Sequence, residues 1–600
     1  MACTHDSLVE QLLKVIQEKG DDSVVLFAHN RSMLVRVHII LILLFWAVTS
    51  PAKNLQREFI EQFQSSRIWF PTDDSPLVAN APGRYPEPLN FIFSNILSWT
   101  PTGEGRAMTE ACDPETWHKR MHDPRVRVSA NLQGGLISKY FQDCRNEVET
   151  GDNGYLSNIV QMMSMKYQAP FHPFMRRAII NLPGNIKLKG MLALKGDFKR
   201  RPLVIIRTGI FSSVEDFKPE RAWMMMLFEQ SPFNVLILEN MSSSDFVANN
   251  TRFAFGGYDE GIQNLLIAQL LTQSSEPLSQ IIDSIHVFGI SLGGHGVLFS
   301  SLLNKHNSIR QPLIRSFMAL CPVVDLSNTM VNLTQSGVKS AVVDLWSQER
   351  LKGLYSKIPG LVNFGSFEFL STAIAEIARR YQGGLSYISS VKLPPGMKDG
   401  PEFWKLNDFW GFYQDVQEPV LIIATEQDPA VPYNLNSQRL LNKELKVASK
   451  NIRVVELPQG HHCTLPISYD WKMLATLFQS YILSHAPSFK MAERVLDMDI
   501  TEEGGTEFSK DGLKISFKVQ PPQKKASFVK LDLTLQNQSK QEKEMALSLP
   551  LSEFDFRFFN EELTVSEQEM LVRWLNHNLR MKIVNDGRKI TLRTSWLVAK

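Results

Sequence analysis

Three residue types on this chain are spaced for acyl transfer. Ser291 stands at the centre of Gly289-Ile290-Ser291-Leu292-Gly293, a Gly-x-Ser-x-Gly pattern. The apolar run Ile285 to Phe288 leads into it, and a helix-compatible segment, Val297-Leu298-Phe299, follows. In that strand–turn–helix setting the pattern predicts a nucleophile elbow. A sharp turn lifts the hydroxyl above the sheet edge, and the flanking glycines leave room for the crossing strand and helix. The next amide, that of Leu292, then becomes an oxyanion donor. A serine hydroxyl is a weak nucleophile until a histidine takes its proton and a carboxylate fixes that histidine's tautomer. Asp428 sits in the turn Asp428-Pro429-Ala430-Val431-Pro432, just past the strand-like run Leu421 to Ala424. His461 and His462 follow Gly460, just past the run Val454 to Leu457. Glu426, slightly earlier in the first of these turns, and Asp325, after Cys321-Pro322-Val323-Val324, are the competing carboxylates.

The elements that must hold these residues alternate in type. Ala178–Leu182 and Ile186–Leu194 read as an antiparallel pair around Pro183-Gly184-Asn185. Strands are expected at 202–206, 234–238, 285–289, 313–320, 419–424 and 452–457, with helices at 220–229, 258–271, 292–303, 435–445 and 468–483. Such alternation means right-handed βαβ units, hence an α/β fold whose mostly parallel sheet carries helices on both faces. Ligands bind beyond the carboxyl ends of strands in such sheets, and each candidate above follows a strand end.

Together the elbow, the Asp-Pro-x-Val-Pro turn and the Gly-His-His loop resemble the α/β-hydrolase superfamily over about residues 177–485, roughly half the chain. The resemblance implies the order nucleophile, acid, histidine, which Ser291, Asp428 and the two histidines follow. His462 is first choice as base, because it precedes Cys463 as in the Gly-x-His loops of related hydrolases, with His461 as the alternative. The resemblance also implies a second oxyanion amide after the third strand of the fold. Here that place is Thr208-Gly209-Ile210, where threonine replaces the family's histidine; Ile210, or else Phe211, would supply the donor.

The rest of the chain divides around this core. Residues 1–52 are an upstream extension and a signal-like segment, 53–175 a wrapping region, 176–488 the hydrolase domain, and 489–600 a β-rich accessory module. A helical insertion at about 327–410, patterned at 338–352 and 367–380, falls where it would overhang Ser291 as a lid. Strands at 513–519 and 528–535 and a helix at 566–578 mark the C-terminal module. Arg31 and Arg36 precede a run of about twelve apolar residues ending at Val48, and Ser50-Pro51-Ala52 offers a cleavage site. That run is short of the roughly twenty residues that span a bilayer. It reads as a secretory signal starting near Met33, so the chain is expected to be secreted or periplasmic.

Over 600 residues the net charge is +2, which argues against a dedicated nucleic-acid surface. No cofactor motif and no CxxC-type metal spacing occurs; His118 and His122, at i and i+4, lack an evident third ligand. Cys112 and Cys144 can pair, and such a bridge would add roughly 3–4 kcal/mol in the chain-entropy model. His286 and His295 fall inside a strand and a helix and read as structural. The function expected is an exported serine hydrolase that cleaves carboxylic esters, with amides or thioesters next. Its partner is a small-molecule or lipid-like acyl substrate, with contact to a membrane surface. The rival from another class is a catalytically silent member whose surface binds.

Overall fold

In a computed structural model, residues 67–70 and most of 109–486 are described. The exceptions within that stretch are 110, 152–153, 164–174, 196–199, 215–217, 230, 251–255, 306–311, 335–342, 345–346, 349–368, 381–402 and 442–450. Beyond it, seven strands between 494 and 597 are described by their backbone. The signal-like segment and the helix expected at 566–578 lie outside the described residues.

Nine strands form one sheet: β1 (Ile68–Trp69), β2 (Met175–Leu182), β3 (Ile186–Ala193), β4 (Arg201–Arg207), β5 (Asn234–Leu238), β6 (Ile282–Ile290), β7 (Ser316–Leu320), β8 (Val420–Thr425) and β9 (Ile452–Leu457). Their order is β1-β2-β3-β5-β4-β6-β7-β8-β9. The first three strands run antiparallel to their neighbours, and from β5 to β9 every pair is parallel. Successive side chains along a strand point to opposite faces, so a strand covered on both sides must be apolar at every position. Leu203 and Ile205 enter one core with Val287 and Ile422, while Val204 and Ile206 enter the other with Phe288 and Ile423.

Helices cover both faces. Among the described residues, those of eight or more residues are α1 (Pro114–Met121), α2 (Ala130–Asp143), α3 (Tyr155–Met163), α4 (Lys218–Glu229), α5 (Gly257–Thr272), α6 (Leu292–Asn304), α7 (Leu326–Thr334), α8 (Phe369–Arg380) and α9 (Trp471–Ser484). α5 and α6 fill the first core, and α4 and α9 the second. The segment between β1 and β2 joins the second core too: α1 packs on α9, α2 on β9, and α3 on α4. Cys112 and Cys144 form a disulfide that ties the start of α1 to the end of α2.

Several expected boundaries shift; β2 begins at Met175 and β6 at Ile282, each three residues before its expected start. The strand expected from 313 begins only at Ser316, because the amide of Arg315 is taken by Ile285 O and regular pairing with β6 starts after it. The helix expected over 468–483 is two pieces, Leu465–Ser468 and α9, since the Asp470 carboxylate caps α9 by accepting from the Met473 amide. Of the insertion, α7, α8 and the short helix Phe403–Leu406 are described. The C-terminal strands form a three-stranded sheet, β10 (Arg494–Asp497), β14 (Lys543–Ser548) and β15 (Arg580–Ile583). They also form a four-stranded one, β11 (Gly505–Lys510), β12 (Leu513–Gln520), β13 (Phe528–Asn537) and β16 (Ile590–Leu597). The latter is antiparallel throughout. Among the described residues no helix is long and apolar enough to cross a membrane.

Candidate active site

Ser291 occupies the turn between β6 and α6 with φ 57° and ψ −120°, left-handed backbone that a residue with a Cβ avoids. Such a conformation costs of order 1–3 kcal/mol and persists only when its surroundings fix it. Here the Ser291 amide donates to Leu320 O at 2.9 Å, and its carbonyl accepts from His295 N at 3.1 Å. The two glycines of the motif have no space for a side chain. A Cβ on Gly289 would lie 2.4 Å from Gly293 O, and one on Gly293 would lie 2.3 Å from Thr208 O. The helix therefore crosses the strand at backbone contact, which turns the serine out at the carboxyl end of the sheet.

The loops after β8 and β9 bring two further residues to it. His462 Nε2 lies 2.9 Å from Ser291 Oγ, and His462 Nδ1 lies 2.7 Å from Asp428 Oδ2. Asp428 Oδ1 accepts the amides of Ala430 and Val431, both at 2.8 Å, so the proline-bounded turn sets the direction of the carboxylate. An ionised Asp428 assigns the proton to Nδ1 and leaves the Nε2 lone pair facing the serine hydroxyl. The carboxylate side chain is buried, whereas that of His462 is 16% exposed. A base that meets the cleft and an orienting acid shielded from water are what proton transfer from Ser291 requires.

Donors for a developing oxyanion flank the serine. Leu292 N is the first amide of α6, and among the described residues it has no protein acceptor. On the opposite wall the loop after β4 runs against Ser291, since a Cβ on Gly209 would lie 3.4 Å from Ser291 Cβ. In that loop the Phe211 amide donates to Ser242 Oγ at 2.8 Å. The Ile210 amide has no protein acceptor among the described residues, so of the two it is the one left available.

No family model matches the chain, and no curated protein does. Solved structures do show likeness. An acylaminoacyl peptidase of Pyrococcus horikoshii is 13% identical with TM-score 0.31, over 51% of this chain and 40% of that one. Est1E from Butyrivibrio proteoclasticus is 16% identical with TM-score 0.30, over 52% and 98%. An esterase of Pyrococcus furiosus is 14% identical with TM-score 0.34, over 54% and 96%. This chain thus spans two fifths of the peptidase and nearly the whole of the two smaller proteins. Likeness of this extent assigns it neither a family nor an activity.

The other sequence candidates have other partners. Asp325 binds Arg439 Nη1 at 2.6 Å and accepts the Asn328 amide, and Glu426 is exposed. The His461 ring turns to Tyr155 of α3, 5.9 Å between centroids, with Nδ1 3.3 Å from Gln427 O. His286 is buried between Ser284 and Ser316, and His295 Nδ1 meets Val323 O at 2.8 Å. His118 bonds Ser480 Oγ at 2.7 Å, and its ring lies tilted at 38° against that of His122, 4.2 Å between centroids.

Sequence reading missed Glu220. In the first turn of α4 it resembles any carboxylate that favours a helix N-terminus. The fold instead buries it beneath the oxyanion loop, where Oε1 accepts from Gly209 N at 3.2 Å and Ser212 Oγ at 2.8 Å. Burial pushes its carboxyl up to about 7, against the opposing pull of the Ser212 hydroxyl, the Gly209 amide and His462. Tyr155 was missed as well, because nothing in the wrapping region's pattern points to the site.

Proposed function

We infer that this chain is a serine hydrolase of the α/β-hydrolase type that cleaves carboxylic esters through an acyl-enzyme. Ser291 attacks the carbonyl carbon while His462 takes its proton at Nε2 and Asp428 steadies the resulting imidazolium. The Leu292 and Ile210 amides receive the oxyanion, the imidazolium protonates the leaving alcohol, and a water activated by His462 releases the acid. The observation that carries this reading is the Ser291–His462–Asp428 relay at 2.9 and 2.7 Å, beginning on a serine of strained backbone.

An ester with an apolar acyl group is favoured by the insertion. A cavity of about 460 Å³ lies among α7, α8 and the helix at 403–406. Its walls include Met330, Ile374 and Phe403, which belong to the same apolar cluster as Phe211 and Leu292, with Ile210 packed against it. Helix α8 and its neighbours thus act as the lid. A fluorophosphonate probe tests the function: covalent labelling should occur and vanish in Ser291→Ala. A well-folded wild type that takes no label would leave the binding-protein reading instead. Export belongs to the same proposal, and the N-terminus of the mature protein should fall near Lys53.

A further inference from the structure

Two thiols with no part in acyl transfer adjoin the catalytic imidazole. Cys321 follows β7 and Cys463 follows His462; both are free and buried. The Cys463 amide donates to Cys321 Sγ at 3.1 Å, and Cys463 Sγ reaches Leu320 O at 3.5 Å. The two sulfur atoms and a ring nitrogen of His462 all lie within 4.8 Å of one another. Such a trio, drawn from two loops, is a donor set and not merely a packed thiol.

We propose that Cys321, Cys463 and His462 form an inhibitory site for a soft divalent cation of the zinc–cadmium class. Thiolate and imidazole are the donors such ions prefer, with bonds of about 2.3 Å to sulfur and about 2.0–2.1 Å to nitrogen. A tetrahedral ion holds its ligands roughly 3.5 Å apart, and since the three donor atoms lie within 4.8 Å of one another the trio closes by little more than an ångström at most. Three protein ligands leave a fourth position for water. His462 is the one member of the trio that is not buried, and the cation enters along it. Each thiol gives its proton to the surrounding buffer as its bond to the metal forms, so two protons leave per cation bound. Both nitrogens of His462 are already engaged, one by Ser291 and the other by Asp428. Whichever turns to the metal, one of those hydrogen bonds is lost and hydrolysis stops. The inhibition rests on the reading of His462 as the base; the binding does not.

Cadmium is the probe, because its thiolates have an ultraviolet charge-transfer band that needs no enzymatic readout. The full chain carries Cys3→Ser and is handled under argon without a reductant, so that the Cys112–Cys144 disulfide stays intact and Cys321 and Cys463 are its only free thiols. The expected result is a saturable band, one cadmium per chain by native mass spectrometry, and parallel loss of ester hydrolysis, all reversed by a chelator. Ser291→Ala should keep the band, whereas Cys321→Ser and Cys463→Ser should each weaken binding at least roughly tenfold. Absence of the band in folded protein, or its survival at full affinity in both serine variants, would overturn the site. If either variant fails to fold, alkylation of the two thiols in the parent chain decides: cadmium that protects them supports the site, and cadmium that does not refutes it. A normal band in a chain that never takes a fluorophosphonate would leave the site standing and remove the enzymatic reading alone.

Discussion

His462 is held at both ring nitrogens, and its two partners predict different losses. Ser291→Ala and His462→Ala should each abolish turnover with little change in melting temperature. Asp428→Asn keeps the turn but supports the wrong tautomer, and kcat should fall roughly 10³–10⁴-fold. His461→Ala should lose far less, and mainly in KM, because its ring faces Tyr155; equal losses in His461→Ala and His462→Ala would remove this loop as the source of the base. Glu220 makes a separate case. Glu220→Ala leaves the Gly209 amide and Ser212 hydroxyl unmet, at a cost of about 1–3 kcal/mol, and kcat should drop while Glu220→Gln, which keeps an acceptor, recovers most of it. Its pH signature has a definite sign. The folded carboxyl is raised to about 7 from 4.5, so between those values the unfolded chain binds fewer protons than the folded one. The Glu220 contribution to stability is therefore full below pH 4.5 and is lost as pH rises through 7. Urea unfolding across that window should show a slope that Glu220→Gln flattens.

At the scale of elements, the decisive seam is between α1 and α9. Burial lowers His118 to about 4, with a further push from His122. Burial likewise lowers His122, with Arg127 adding to it, and His485, with Arg453 the next cause. A neutral imidazole is thus part of the folded seam, and the unfolded chain takes up protons first as pH falls. Stability from His118 is full above 6.5 and is lost as pH falls through about 4. Replacing His118 by glutamine, which can still bond Ser480, should reduce the fall in unfolding midpoint between about pH 7 and about pH 5. An unchanged fall would move the acid sensitivity to other groups.

For the whole molecule, the segment between β1 and β2 does two things at once. It completes the core against α9 and β9, and through Tyr155 it reaches the wall of the site. The Cys112–Cys144 disulfide spans a separation of 32 residues within that segment. Reducing it, or replacing both cysteines by alanine, should lower stability by roughly 3–4 kcal/mol, read as a lower melting temperature. The helices should detach from the second core before the sheet itself unfolds, which hydrogen exchange would detect as early loss of protection over 114–143.

Much of this was written locally. Uninterrupted apolar runs at 203–206, 235–238 and 420–424 could only be strands covered on both faces, and tight glycines around Ser291 could only be a close crossing of strand and helix. Those are properties of neighbouring residues, governed by side-chain alternation and by the absence of a Cβ. The remainder depends on contacts between distant residues. Which histidine turns to Ser291 is set by the backbone of the loop after Gly460, where His461 and Cys463 both take positive φ. Whether Glu220 meets water or the oxyanion loop depends on how α4 packs under Gly209. Cys321 and Cys463 are 142 residues apart, and only the parallel register of β7, β8 and β9 brings their sulfur atoms to one imidazole.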